Sequence, residues 1–274
     1  MMRSRIVLSR NSMSESTSAP YVGVTREGHV SIVEIQRPPH NYFDIPMITA
    51  IADAFEAAEA DRECRAIVLC AQGTAFCAGA NFASRDATPE QKSPRALNPI
   101  YDQAIRLVAC TKPSVAAVHG PAIGGGLGLA LATDLRVSCP EARFSANFNR
   151  LGFHPGFGLS YTLPRLVGQQ QAAQLFFTGR RIGGEEAARI GLVDELVTQE
   201  QVRAKAVEWA TEIAVSSPIA VQSTRATLRA GVVEAFRLAV ARESAEQNAH
   251  FKTEDFKEGV KAMAERRPPR FSGR

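Results

Sequence analysis

The sequence predicts an α/β fold, and three observations carry that reading. Two short continuous apolar runs, Ala66–Ala71 (AIVLCA) and Val115–Val118, have the length and composition of strands buried on both faces. Each is followed by a glycine-bearing turn and then a helical stretch, and repetition of strand, turn and helix argues against a sandwich or a bundle. After Gly168 the pattern turns mostly helical, broken by one short strand at Leu192–Val197.

In chain order, Tyr21–Thr25 and the near-alternating Val30, Ile32 and Ile35, joined through Glu27-Gly28, predict a two-stranded hairpin that Pro38-Pro39 ends. From Ile45 onward Ile48, Ile51, Ala52, Phe55 and Ala58 recur with the period of a helix packed on one face. Residues 82–99 (FASRDATPEQKSPRALNP) have loop composition and follow a glycine-rich corner, where a pocket wall is useful. The run Leu127–Thr133 is expected to be helical, as are 169–177, 184–190, 199–216, 218–230, 232–249 and 254–265.

Composition excludes several classes of function. With 45% apolar residues over 274 positions the chain can bury a real core. The 32 Lys and Arg against 28 Asp and Glu give a formal charge of only +4, far from the clustered excess of a nucleic-acid binder. That charge sits at the ends: Arg3, Arg5 and Arg10 in the first twelve residues, and Arg266, Arg267, Arg270 and Arg274 in the last nine, flank a mildly acidic body. No apolar run reaches the roughly 18 residues of a membrane-spanning helix. The five cysteines, Cys64, Cys70, Cys77, Cys110 and Cys139, lack metal-ligand spacing and read as small core residues in a reducing compartment. Residues 1–20 read as a leader, or as an overextended start if translation begins at Met13; their Arg/Ser-rich, acid-free opening also matches a mitochondrial transit peptide. The expected location is the cytoplasm, or the mitochondrial matrix in the second case.

Two backbone corners carry the chemistry. The first is Phe76-Cys77-Ala78-Gly79-Ala80-Asn81, the second Gly124-Gly125-Gly126, each after a strand. Glycine clusters allow close backbone approach, and free N–H groups at a helix start attract negative charge. Two such corners can aim two donors at one oxygen, which is an oxyanion hole. A dinucleotide fingerprint fails at Leu129, a P-loop lacks GK[ST], and no GxSxG is present. Tight packing alone stays open as an explanation of three consecutive glycines.

FCAGAN at 76–81, AAVHGPAIGGGLGLALATDLRVS at 116–138, LGFHPGFG at 151–158, TGRRIGGEEAARIGLVDELV at 178–197 and the tail EDFKEGVKAMAERRPPRFSGR together resemble the enoyl-CoA hydratase/isomerase (crotonase) superfamily over residues 21–273. The resemblance implies the crotonase (ClpP-like) spiral of ββα units over 21–200 and a C-terminal helical trimerisation layer over 201–274. It further implies homotrimers or dimers of trimers that bind an acyl-CoA thioester, with no cofactor beyond the coenzyme A moiety of the substrate. The oxyanion-hole donors it implies are the backbone N–H groups of Ala78 and Gly125. It places the nucleotide end of CoA against Arg37–Asn41, nearest Pro39 and His40, with Met263 and Arg266 arriving from a neighbouring subunit; a cation there suits the phosphates of CoA.

The chain departs from the pattern where protons are moved. The family's hydratases use two glutamates, and these positions hold Gly128 and Phe148; a third acid, the aspartate of LGxxPD loops, is Gly156. Neither Gly128 nor Phe148 can transfer a proton, and a phenyl ring dries the site. His154 is the candidate replacement base, although a loop histidine bonded to nearby backbone is the preferred reading of it. Asn147 and Asn149 are expected to orient water or a carbonyl, or to serve as turn residues, and Asp86 to be a solvated loop acid unless it enters from the other wall. His119 and Asp134 read as structural, and His29, His40 and His250 show no partner in sequence. Two readings result: an enzyme of the family that stabilises a thioester enolate with altered acid/base chemistry, or a non-catalytic acyl-CoA-binding or assembly subunit. Hydrolysis or decarboxylation is a lesser third.

Overall fold

The computed structural model describes residues 18–19, 21–80 and 97–274. A short strand, β1 (Ser18–Ala19), pairs antiparallel with β2 (Val22–Glu27), which forms the expected hairpin with β3 (Val30–Ile35). Helix α1 (Ile45–Ala60) follows, and its start is written in sequence: the Asp44 carboxylate accepts the Met47 N–H at 3.0 Å, and Pro46 stands in the first turn, where no N–H is needed. Its face of Met47, Ile48, Ile51, Ala52 and Phe55 is buried. Next come β4 (Ala66–Ala71), α2 (Pro99–Ala109) and β5 (Ser114–Val118). The short β6 (Ala122–Ile123) leads into α3 (Gly125–Leu131), followed by β7 (Leu135–Ser138) and β8 (Arg143–Ser145). Beyond these lie α4 (Leu159–Thr178), β9 (Arg181–Gly183), α5 (Gly184–Arg189), β10 (Glu195–Leu196), α6 (Val202–Val215), α7 (Pro218–Leu228), α8 (Val232–His250) and α9 (Glu254–Ala264).

The strands form two sheets. Seven run in the order β1-β2-β3-β4-β5-β7-β10, parallel from β3 onward. A smaller sheet joins β6, β8 and β9. Strands β4 and β5 are buried along nearly their whole length, as uninterrupted apolar runs require when helices cover both faces. These are ββα units with a helical second half, the α/β architecture expected.

Two differences from the expected elements have physical causes. Helix α4 starts ten residues before the predicted 169, because Pro164 and the non-helical Gly168 (φ 78°, ψ 159°) break the apolar period over two turns. Helix α2 was hidden behind the polar stretch before it; Asn98 caps it by accepting the Ile100 N–H at 3.0 Å. The leader, Met13 and Asp86 lie outside the described residues. Among the described residues no helix is long and apolar enough to cross a membrane.

Asn41 holds the turn between β3 and α1. Fully buried at φ 50°, it donates to the Gln72 and Ala75 carbonyls at 2.7 and 2.8 Å and accepts the Arg37 N–H at 3.0 Å. Asn41→Ala leaves those backbone groups without partners, and chemical denaturation is expected to show a loss of about 2–4 kcal/mol.

Candidate functional site

The two glycine corners meet. Cys77 donates its N–H to the Pro121 carbonyl at 3.1 Å and accepts the Ile123 N–H at 3.0 Å, so the first corner is stitched in parallel to β6, directly ahead of Gly124. The approach is closer than a side chain allows: a Cβ on Gly126 would stand 2.0 Å from the Cys77 carbonyl oxygen. A Cβ on Gly79, which lies at φ 80°, would stand 2.7 Å from the Ile123 oxygen and 3.6 Å from the Gly125 nitrogen. Cys77 is no nucleophile, since burial pushes its thiol up to about 12.

Of the two expected donors, Gly125 is available. As the first residue of α3 it has no carbonyl partner for its N–H among the described residues, and it is only half-buried. Ala78 is not: its N–H donates to the His40 carbonyl at 3.0 Å. This corrects the sequence-based assignment, because an N–H bonded to a backbone carbonyl is not free for a ligand. The next N–H beyond Gly79, that of half-buried Ala80, has no partner among the described residues. Sequence reasoning missed Ala80 because the reversal of the chain at Gly79 shows only as positive φ.

The three missing acids are not gaps waiting for a side chain. A Cβ on Gly128 would fall 2.7 Å from the Phe157 Cβ and 2.9 Å from its ring. Phe148 points at the corner, with its Cζ 3.7 Å from a Cβ built on Gly124, and its ring packs edge-on against Phe153 at 5.4 Å. A Cβ on Gly156 would collide with the Tyr101 hydroxyl at 2.1 Å. Phe43 lies over Gly125 and tilts against Phe157 at 5.6 Å. Aromatic rings and the Tyr101 hydroxyl thus fill the space beside Gly128 and Gly156, and Phe148 is itself a ring packed at the corner.

His154 stands elsewhere. Its Nδ1 donates to the Pro155 carbonyl at 2.8 Å, its backbone N–H to His250 Nδ1 at 3.0 Å, and its carbonyl accepts from Gln247 at 2.8 Å. Its ring lines a surface cleft with His250, Asp255 and the C-terminal Arg274. The side chains recorded around Gly124 and Gly125 are Phe43, Phe148 and Asn147. The expectation of His154 as the base is therefore not supported by its position, and the local hydrogen bond explains the residue.

Other expected residues sort cleanly. Pro39 and His40 are exposed, with the Pro39 carbonyl tied to Thr74 at 3.1 Å. Met263 and Arg266 are exposed at the end of α9. Asn149 donates to the Phe177 carbonyl, His119 bonds the Gly73 carbonyl and His29 the Glu63 carbonyl, all structural. Asp134 is held by Arg225 and Arg229 at 2.8 and 3.0 Å and caps the Ser114 N–H, also structural.

One buried acid escaped the sequence reading. Glu243 on α8 is fully buried and accepts the Gly158 N–H at 2.7 Å, the Ser160 N–H at 2.9 Å and the Ser160 hydroxyl at 2.6 Å at the start of α4. Burial pushes its carboxyl up to about 7, against the pull of those donors.

Comparison with known proteins gives the family. The family model described as enoyl-CoA hydratase/isomerase matches residues 25–274. The chain belongs to the enoyl-CoA hydratase/isomerase family. It is similar to enoyl-CoA hydratase EchA19 of Mycobacterium tuberculosis, 32% identical over 270 residues covering 96% of this chain and 100% of that one. It is also similar to the short-chain-enoyl-CoA hydratase of Clostridium acetobutylicum, 34% identical over 247 residues, 88% of this chain and 94% of that one. Among solved structures, the enoyl-CoA hydratase/isomerase of Pseudoalteromonas atlantica superposes with a TM-score of 0.84 at 29% identity, covering 92% and 100% of the two chains. The fold is accordingly the crotonase fold.

The raised carboxyl of Glu243 gives a signed prediction. Between about 4.5 and about 7 the folded chain keeps a proton that the unfolded chain has released, so this group's contribution to stability falls as pH rises. Wild type is expected to lose on the order of 2–3 kcal/mol relative to Glu243→Gln across that window, read by denaturant titration at stepped pH.

Proposed function

We propose that the protein binds an acyl-CoA thioester and polarises its carbonyl between the backbone N–H groups of Ala80 and Gly125, without the two-glutamate acid/base pair of the family's hydratases. The observation that carries this reading is the junction of the two corners: an N–H beyond Gly79 and another at the start of α3, neither with a partner among the described residues, and a Gly79 Cβ position 3.6 Å from the Gly125 nitrogen. Donors fixed in the backbone meet developing negative charge without reorganisation, and losing one typically costs on the order of 10² to 10³ in rate. The nucleotide end of CoA is assigned to the exposed Pro39–His40 turn, with Met263 and Arg266 of a neighbouring copy beside it. Exposed apolar residues on and next to α7 and α8, among them Ile219 (81% exposed), Leu228 (74%) and Leu238 (75%), support a homotrimer as the assembled form.

Within this site the thioester oxygen accepts two hydrogen bonds, which favours enolate character at the α-carbon. Phe43, Phe148 and Phe157 exclude water on the side where hydratases place theirs, so enoyl hydration is the reaction disfavoured. The sterically filled acid positions favour a second reading, a non-catalytic acyl-CoA-binding subunit. Calorimetry with crotonyl-CoA beside a hydration assay separates them from a hydratase: binding with negligible hydration is expected, and hydration at an ordinary enzymatic rate would refute the proposal. Turnover across enoyl, dienoyl and β-keto thioesters then distinguishes enzyme from binder.

Restoring one acid is expected to fail for a steric reason. Gly128→Glu alone drives its Cβ into Phe157 and lowers stability by about 1–3 kcal/mol, as overpacking does. Phe157→Ala removes the ring but keeps the Cβ that stands 2.7 Å away, and it opens a cavity, so Gly128→Glu with Phe157→Ala is expected to stay below wild type in thermal unfolding.

A further inference from the structure

Glu243, Ser244 and Gln247 share a buried face of α8, each no more than 3% exposed, and each reaches out to a segment flanking the glycine corners. Ser244 Oγ accepts the Asn98 N–H at the head of α2. Gln247 accepts the Tyr101 hydroxyl at 2.7 Å and donates to the His154 carbonyl at 2.8 Å, bridging α2 to the loop before α4. Glu243 takes the other end of that loop through Gly158 and Ser160.

Between these two anchor points stands Phe157, fully buried at φ 60°. A bulky residue rarely adopts that conformation, and it persists where its surroundings over-determine it. The surroundings here are specific. Gly156 is wedged against the Tyr101 hydroxyl and the Gln247 amide, and Gly158 against the Phe236 ring, at distances where neither site admits a Cβ. We propose that Glu243 and Gln247 are positioning residues of the acyl site: bonded to the loop on either side of Phe157, they hold its ring against Phe43 and Gly128 and so set the preference for acylated over free CoA. The preference part rests on the acyl-CoA reading above.

The test uses the full-length chain. Calorimetric titration of crotonyl-CoA and of CoA is compared for wild type, Glu243→Ala, Glu243→Gln and Gln247→Met, each checked by circular dichroism for folding. Glu243→Ala is expected to weaken crotonyl-CoA binding roughly tenfold, with CoA binding little changed, since it leaves the Gly158 and Ser160 donors without their buried partner. Glu243→Gln, which keeps one acceptor oxygen, should recover part of the loss. A ratio of the two affinities equal to wild type in folded variants would overturn the proposal; if Glu243→Ala does not fold, Gln247→Met carries the same comparison. Hydrogen exchange needs no ligand: in Glu243→Ala the Gly158 and Ser160 amides should exchange roughly tenfold faster while β4 amides stay protected. Unchanged protection would overturn the clamp. Failure of wild type to bind either CoA compound would instead overturn the acyl-CoA reading, with the exchange data still deciding the clamp.

Discussion

The site depends on one backbone contact, the parallel stitch of Cys77 to the Pro121–Ile123 segment. It brings the end of one strand-turn-helix unit against the start of the next helix, and it works only at main-chain distance. Gly126 sits where any Cβ would meet the Cys77 carbonyl at 2.0 Å, and Gly124, at φ 55°, turns the chain into α3 while donating to Ser145 at 2.8 Å. The large sheet supplies rigidity behind the contact, since β4 and β5 are parallel neighbours that feed the two corners. Two glycine motifs distant in sequence thereby become one structure.

Around that contact the chain replaces charge by aromatic surface. Carboxylates near the thioester carbonyl would need water or a partner to remain ionised, whereas Phe43, Phe148 and Phe157 need neither. Their packing explains why Gly128 and Gly156 are glycines. Gly128 leaves room for Phe157, and Gly156 leaves room for the Tyr101–Gln247 pair. The polar groups needed to hold this dry wall are moved outward, onto α8, where each has a bonded partner as burial demands.

Sequence alone disclosed the parts governed by local pattern. The apolar period of α1, the buried runs of β4 and β5 and the hairpin of β2 and β3 follow from residue spacing, and the structure has them nearly where expected. The two corners were legible as glycine clusters, and the absent acids as Gly128, Phe148 and Gly156. What escaped depends on backbone direction and distant contact. That Ala78 gives its N–H to His40 while the Ala80 N–H has no partner among the described residues follows from the reversal at Gly79, and a glycine there does not say which neighbour stays unbonded. Glu243 went unnoticed, because its partners Gly158 and Ser160 lie over eighty residues away. His154 drew attention as the titratable residue of a pocket loop, yet its hydrogen bond to Pro155 is the local one that loop histidines often make.

Polarisation of a thioester carbonyl by two backbone N–H groups, with Gly128 and Phe148 in place of proton-transferring acids, has a direct spectroscopic signature. Infrared difference spectroscopy of crotonyl-CoA labelled with carbon-13 at the thioester carbonyl reads that polarisation directly. The labelled carbonyl band is expected to move to lower frequency on binding, without conversion to the hydrated product. A band at its solution frequency in the saturated complex would contradict it.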